Sequence, residues 1–180
     1  MPKLNFFFPI FVILLLISIF IFNGCQVQEE RTYTDAQFQS FMDNSRQLWT
    51  GGNVDLVDSL YAEAAVRHNA DVGDAKGPEE IKKFVQWVYT AYPDFKITFD
   101  ESFKLKDRIV IHWTATGTNN GPLSENMPPT GVKVSFSGIS MSTIENGKIT
   151  EEWSYYNQLP IYNQMGYELV LKGSEEEKKD

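Results

Sequence analysis

The spacing of the apolar residues changes once along the chain, and this change limits the possible folds more than any other feature. Before Pro93 these residues recur at intervals typical of amphipathic helices, as in Phe38, Phe41 and Met42. After Phe95 they alternate with polar residues, which is typical of half-buried strands. Helices followed by a run of strands predict an α+β domain.

Three helices are predicted in the first half of the chain. Thr34 and Gln37 have the spacing of a capping box at the start of the first helix, which the glycine pair 51–52 ends. A short second helix is expected to begin after Asn53. Pro78 lies where a proline is tolerated, in the first turn of a third helix.

Four antiparallel strands are predicted in the second half. They are expected over residues 95–106, 109–115, 132–144 and 149–157, with a long Gly/Pro/Asn loop before the third strand. Asn146-Gly147 between the last two strands predicts a tight hairpin of type I′. A short helical segment is expected to follow the last strand.

The apolar residues are also unevenly distributed. Six of the 13 Phe residues precede Asn23, within a 17-residue apolar run over residues 6–22. This run is slightly shorter than the roughly 20 residues of a membrane-spanning helix. It is preceded by Lys3 and followed by Gly24 and Cys25, the only cysteine of the chain.

This leader resembles the signal peptide of a bacterial lipoprotein, in which a signal peptidase cuts before a cysteine that becomes acylated. The resemblance implies lipidation of Cys25 and a body in the cell envelope, on the extracytoplasmic side of the membrane. An uncleaved N-terminal anchor is the alternative, and it also places the body outside the cytoplasmic membrane. The predicted organisation is a signal peptide (1–24), a tether (25–33), one domain (34–172) and a disordered charged tail (173–180).

The charge of the chain narrows the range of partners. The formal net charge is −8, and without Lys3 the body carries 15 positive against 24 negative side chains, which is −9. An acidic protein of this kind lacks the basic surface that nucleic-acid binding requires. Its surface would not be attracted to anionic lipid either, so lipid on Cys25 is the expected membrane attachment.

Short motifs spread over residues 38–167 carry a further resemblance. They are Tyr61-Ala62, Val66-Arg67-His68, Gly77-Pro78-Glu79-Glu80-Ile81-Lys82, Tyr92-Pro93-Asp94, Asp107-Arg108-Ile109-Val110, Trp113-Thr114-Ala115-Thr116-Gly117-Thr118, Pro129-Thr130-Gly131, Asn146-Gly147-Lys148-Ile149-Thr150-Glu151-Glu152-Trp153 and Gln164-Met165-Gly166. In this order they resemble the NTF2-like cone fold and, within it, the SnoaL-like polyketide cyclase or ester cyclase family.

The resemblance implies a curved antiparallel sheet wrapped around the N-terminal helices, with an apolar pocket inside the cone. Family members that close rings use a pocket carboxylate as acid and base, without metal or organic cofactor. That carboxylate follows the Trp of the last strand by four residues, where this chain has Asn157. An amide cannot act as a general base, so Asn157 either orients a ligand or bonds to its own backbone.

Other candidate site residues have alternatives of their own. His68 matches the histidine that the family commonly places near the pocket, and it is either a base or ligand contact or a structural bridge where helix meets strand. Trp113, Trp153 and Tyr155 are expected to bind ligand at the pocket wall, although core packing is the alternative. With two His and no spare Cys, a transition-metal site is not expected.

Two functions follow as hypotheses. The first is an exported, lipid-anchored protein that binds a small apolar or aromatic molecule. Any catalysis would be proton transfer at a carbon next to a carbonyl, with His68 as base and Asn157 and Tyr155 orienting. The second is a non-catalytic interaction or dimerisation module that uses the outer face of the sheet, where Val110 and His112 are expected.

Overall fold

The computed structural model describes residues 34–69 and 72–171. The predicted signal peptide, Cys25, the tether and the charged tail lie outside these described residues. Within the described ranges, no helix combines the length and the apolar character that crossing a membrane would need.

The helices lie where the apolar spacing predicts them. Thr34 and Gln37 form the expected capping box at the start of the first helix, whereas Asn53 makes no side-chain cap. Pro78 occupies the first turn of its helix, as predicted. The helices are α1 (Asp35–Gly51), α2 (Val57–Leu60, after a 3₁₀ turn at Val54–Leu56), α3 (Gly77–Ala91) and α4 (Leu159–Gln164).

Six strands form one curved sheet that does not close into a barrel. The strands are β1 (Tyr61–Asn69), β2 (Ala75–Lys76), β3 (Lys96–Lys104), β4 (Arg108–Thr118), β5 (Lys133–Glu145) and β6 (Lys148–Tyr156). Their order is β2-β1-β6-β5-β4-β3, so the predicted meander of the last four strands is confirmed. Strand β1 pairs with β6 in parallel, and the short β2 was not predicted.

The core lies between the helices and the inner face of the sheet. Leu48 of α1 and Ile81 of α3 belong to the same buried cluster as Ile109 and Val134 of the strands. The α+β class and the cone architecture are therefore confirmed. The β5–β6 turn is also as predicted, since Asn146 and Gly147 both have positive φ, at 51° and 80°.

Two β-bulges change which side chains face the core. In β6, Ile149 pairs with Ile144 but Glu151 pairs with Thr143, so Thr150 is an extra residue. A second irregularity lies between Phe99 and Glu101 in β3. Because successive side chains point to opposite faces, one extra residue reverses the inside and outside positions that follow it.

The loop between β4 and β5 is held against the end of α3. The buried side chain of Asn119 donates to the backbone oxygen of Gly121 at 2.7 Å. The backbone nitrogen of Gly121 donates in turn to the oxygen of Ala91 at 3.1 Å. This fixed loop supplies Leu123 and Met127 to the internal cavity described below.

Gly121→Ala is expected to destabilise the domain by roughly 1–3 kcal/mol or more. A Cβ at this position would lie 2.0 Å from the backbone oxygen of Thr90, which cannot move without distorting α3. Thermal unfolding measures the effect. Gly51→Ala is the control, because nothing lies within 4 Å of its added Cβ, and no loss of stability is expected there. Equal unfolding temperatures for the two variants would contradict the prediction.

Candidate functional site

A cavity of about 240 Å³ lies between helices α1 and α3 and the inner face of the sheet. Its wall is mostly apolar, and its volume is slightly below the roughly 300–1,000 Å³ of typical ligand pockets. A small ligand of one or two rings therefore suits it. Aromatic side chains dominate the wall, among them Trp49, Phe84, Trp87, Trp113, Phe136 and Tyr156.

A polar row crosses the inner face of the sheet in the wall of this cavity. Strand pairing places Ser142, Glu152 and Arg67 next to one another on β5, β6 and β1. All three side chains are buried and line the cavity. Among the described residues of the cavity wall, Glu152 and Arg67 are the only ones with a full charge.

Tyr61, Glu152 and Arg67 form a contact cluster. The hydroxyl of Tyr61 donates to Oε2 of Glu152, and Nε of Arg67 lies 3.7 Å from the same oxygen. The side chains of Arg67 and Glu152 are each only 6% exposed. Buried charges are costly unless they are paired, and here each charge compensates the other.

The guanidinium of Arg67 also contacts two aromatic rings. Its central carbon lies 4.4 Å from the ring centre of Phe84 and 5.2 Å from that of Trp49. These cation–π contacts help to hold a positive charge away from water. Within residues 34–69 and 72–171, Nε of Arg67 is the one fully buried side-chain nitrogen or oxygen without a hydrogen-bond partner.

Two tyrosines of the site, Tyr61 and Tyr92, are hydrogen-bond donors at physiological pH. Burial, together with the negative charge of Glu152, raises the pKa of Tyr61 well above its ordinary value of 10. Burial likewise raises the pKa of Tyr92, which also lines the cavity, to about 12. Because both hydroxyls keep their protons, Glu152 is left as the candidate proton acceptor of the cavity.

Trp113 lines the cavity from β4. Its Nε1 donates to Oγ of Ser140 at 3.0 Å, and that hydroxyl donates to Oγ of Ser154 at 3.2 Å. The indole lies over Gly138 of the neighbouring strand, where an added Cβ would come within 2.5 Å of the ring. A glycine at 138 therefore provides the space that the indole occupies.

Comparison with known families identifies this cavity-bearing domain. Residues 39–165 match the model of the SnoaL-like polyketide cyclase family. The chain belongs to this family. A comparison with curated individual proteins finds no match.

Solved structures show the same fold. TsrD from Streptomyces laurentii is 22% identical, with a TM-score of 0.66 over 74% of this chain and 97% of that one. IdmH from Streptomyces antibioticus, described as a candidate polyketide cyclase, is 20% identical, with a TM-score of 0.60 over 72% and 98%. A protein with a ketosteroid isomerase-like fold from Catenulispora acidiphila is 16% identical, with a TM-score of 0.61 over 71% and 93%.

The structure divides the predicted site residues of this SnoaL-like protein between two faces. Trp113 lines the cavity, as predicted. The cavity wall does not include Trp153, Tyr155, His68 or Asn157. The pocket-wall position predicted for Trp153 and Tyr155 is therefore wrong, whereas the structural alternative fits the positions of His68 and Asn157. The bulge at Thr150 explains the error on β6, because it turns residues 152, 154 and 156 inward and their neighbours outward.

His68 belongs to a cluster on the outer face. Its ring stacks on Trp153 with centroids 5.0 Å apart. Nδ1 lies 3.0 Å from Oδ1 of Asp74, and Nε2 lies 3.1 Å from Oε1 of Glu151. Partial burial lowers the pKa of His68, but the hydrogen bonds to Glu151 and Asp74 outweigh it, and the net pKa is raised. This histidine ties β1 to its neighbours and does not face the cavity.

His68 is expected to stabilise the domain more at low pH than at high pH. Since its pKa is raised in the folded state, its contribution is fully present below the unfolded value of about 6.5. The contribution is lost as the pH rises through the folded pKa. Unfolding temperatures of the wild type and His68→Gln, measured on both sides of neutrality, check this: the two curves should converge at high pH. Curves that stay parallel would contradict the prediction.

Asn157 is exposed at the end of β6. Its Oδ1 accepts a hydrogen bond from the backbone nitrogen of Leu159 at 3.1 Å, at the start of α4. This is the local backbone role that was the alternative for Asn157. The family's carboxylate position therefore carries a turn-forming amide in this chain.

Sequence reasoning missed the three residues of the buried cluster. Tyr61, Arg67 and Glu152 all lie in motifs that carried the family resemblance, but none was assigned a role. The available signal was a charged residue inside each of two strands, which needs a partner if buried. Simple alternation from Ile149 assigns Glu152 to the outer face, so the sequence pattern did not indicate that Glu152 pairs with Arg67.

In the described part of the chain, no three His, Cys, Asp or Glu side chains are grouped as a metal site requires. That the protein works without a metal or organic cofactor stays a prediction.

Proposed function

We propose that this SnoaL-like protein binds a small, largely apolar carbonyl compound in the cavity and transfers a proton at the carbon next to the carbonyl. Glu152 is the base. The observation that carries the proposal is the buried carboxylate of Glu152, the one carboxylate among the described residues of a mostly apolar and aromatic cavity wall. The role assigned from sequence to His68 passes to Glu152, because only Glu152 reaches the cavity.

The proposed step is balanced within the substrate and one side chain. Glu152 accepts the proton from the carbon next to the carbonyl, and the C–H electron pair becomes the C=C bond of an enolate. The negative charge moves to the carbonyl oxygen. Where the enolate is conjugated with a second C=C bond, return of the proton to the far end of that system gives isomerisation. Attack of the enolate carbon on a second carbonyl of the same molecule gives ring closure, and the proton held by Glu152 passes to the new alkoxide oxygen.

The surroundings of Glu152 favour this chemistry. Proton abstraction by a positioned side chain typically contributes about 10²–10⁴-fold in rate. The cavity wall is mostly apolar, and electrostatic contacts to the developing enolate are stronger in apolar surroundings than in solution. Tyr61 holds Oε2 of Glu152 through its hydroxyl and thereby fixes the direction of the carboxylate.

Deuterium exchange tests the proposal. 2-Tetralone, a two-ring ketone with an acidic CH₂ group, is incubated with residues 26–180 in D₂O, and the exchange is followed by NMR. We expect exchange faster than in buffer alone, together with a rise in unfolding temperature on ligand binding. A closed cavity, with neither exchange nor a thermal shift for any small ketone, would rule the function out.

The lipid anchor at Cys25 and the location in the cell envelope belong to the same proposal and rest on the leader sequence. Metabolic labelling with a fatty acid, compared between the wild type and Cys25→Ala, tests them. Label on the wild type alone, with release of the variant from the membrane fraction, would support lipidation. A variant that stays in the membrane would favour the uncleaved anchor.

A second candidate function is favoured by the outer face of the sheet. Phe103, Ile139 and Tyr155 are large apolar side chains on this face, and each is about half exposed, at 54%, 48% and 58%. Exposed apolar side chains on one face are typical of interaction surfaces. Sedimentation of residues 26–180 with and without Tyr155→Lys would show whether this face binds a second copy.

A further inference from the structure

We infer that Nε of Arg67 binds the carbonyl oxygen of the substrate, and that the Arg67–Glu152 pair selects an uncharged oxygen over a carboxylate. The inference rests on the proposed function, since it orients the same substrate in the same cavity. It assigns a specificity residue and narrows the ligand class to small, flat, uncharged ketones.

Arg67 supplies a buried hydrogen-bond donor to the cavity. Arg67 is buried on the cavity wall, and its Nε makes no hydrogen bond within the described residues. A buried N–H group without an acceptor is unfavourable, and such groups in native proteins are rare. An oxygen of a ligand, or water in its absence, would satisfy it.

The shape of the guanidinium restricts the direction from which a ligand oxygen can approach Arg67. The rings of Phe84 and Trp49 both lie against the guanidinium, at 4.4 and 5.2 Å from its central carbon. The N–H groups of a guanidinium point outward within its plane, so a ligand oxygen has to approach one edge of the group in that plane. The same aromatic rings can contact a flat ligand whose oxygen reaches that edge.

The charged groups of Arg67 and Glu152 are close enough to contact one small ligand together. Nε of Arg67 and Oε2 of Glu152 are 3.7 Å apart. The oxygen and the acidic C–H of an enolisable ketone belong to neighbouring carbons, so one small molecule can contact both side chains at once. The negative charge that forms on the oxygen would then lie beside the guanidinium.

The opposite charges of Arg67 and Glu152 also determine which ligand charge the cavity favours. Glu152 already compensates Arg67, so an uncharged carbonyl enters a neutral site. A carboxylate would bring a second negative charge close to Glu152, and like charges repel strongly where little water is present. The pair is therefore expected to discriminate against carboxylic acids of similar size and shape.

Three probes of similar shape test the inference by calorimetry. They are 2-tetralone, 2-methylenetetralin, in which CH₂ replaces the oxygen, and 2-naphthoate, which carries a carboxylate. They are compared on the wild type, on Glu152→Gln and on the double variant Arg67→Met/Glu152→Gln, which removes both charges together.

We expect the double variant to bind 2-tetralone about tenfold or more weakly than the wild type, beyond any change in its affinity for 2-methylenetetralin. A loss of this size is usual when one hydrogen bond to a charged group is removed. Glu152→Gln should bind 2-naphthoate about tenfold more tightly than the wild type does, because it leaves Arg67 uncompensated. Equal losses for the two tetralins, or an unchanged affinity for 2-naphthoate, would overturn the inference.

The same probes separate this inference from the proposed function. If deuterium exchange depends on Glu152 but the oxygen preference does not depend on Arg67, the inference fails and the function stands. If the oxygen preference depends on Arg67 but no exchange occurs, the proton-transfer function fails. If none of the three probes binds the wild type, both are overturned.

Discussion

Glu152→Gln is expected to reduce proton exchange at the carbon next to a ketone by about 10²–10⁴-fold. The amide keeps nearly the shape of the carboxylate and can still accept the hydrogen bond from Tyr61, but it cannot take up a proton. Deuterium exchange into 2-tetralone, measured with saturating ligand, gives the rate. Binding of 2-methylenetetralin should be retained, which would show that the cavity is intact.

Glu151→Gln is the matched control, because it makes the same substitution one residue away on the opposite face of β6. Glu151 contacts His68 on the outer face and does not line the cavity. Its loss should leave exchange unchanged. Asn157→Asp, which places a carboxylate at the family position, should likewise add no activity, since Asn157 is exposed and bonded to Leu159. Equal losses of exchange in Glu151→Gln and Glu152→Gln would refute the assignment.

The elements that depend on local chemistry were predictable from the sequence. Thr34 and Gln37 cap a helix through contacts three residues apart, and Asn146-Gly147 adopts the positive φ angles that its hairpin needs. The order of helices and strands followed from apolar spacing, and the family resemblance supplied the curvature of the sheet. None of these predictions required knowledge of which residues meet across the sheet.

The composition of the site was not predictable in the same way, because it depends on one extra residue. Alternation from the buried Ile149 assigns residues 151, 153, 155 and 157 to the cavity. The bulge at Thr150 reverses this assignment and brings Glu152 inward beside Arg67. A bulge depends on pairing with the neighbouring strand, which a single sequence does not specify.

The same reversal gives the two faces of β6 different properties. The inner face presents Glu152, Ser154 and Tyr156 to the cavity. The outer face presents Trp153 and Tyr155, whose aromatic character had suggested a pocket wall. Aromatic residues therefore lie on both faces of this strand, and residue type alone could not distinguish the face of the ligand from the face of a partner.

Arg67→Met is expected to lower the free energy of unfolding by roughly 3–5 kcal/mol. The substitution keeps an unbranched side chain of similar length but leaves the carboxylate of Glu152 buried without its compensating charge. It also removes the contacts of the guanidinium with Phe84 and Trp49. Chemical denaturation followed by circular dichroism measures the loss.

The double variant Arg67→Met/Glu152→Gln shows whether this loss comes from the pair or from packing. With both charges absent, no uncompensated group stays buried, and an apolar or neutral replacement of a buried ion pair is often close to neutral. The double variant should therefore be more stable than Arg67→Met alone, although it carries one more substitution. If the loss of the double variant equals the sum of the losses of Arg67→Met and Glu152→Gln, the two charges are not coupled. Arg67 would then be held in the cavity by its aromatic contacts and not by Glu152.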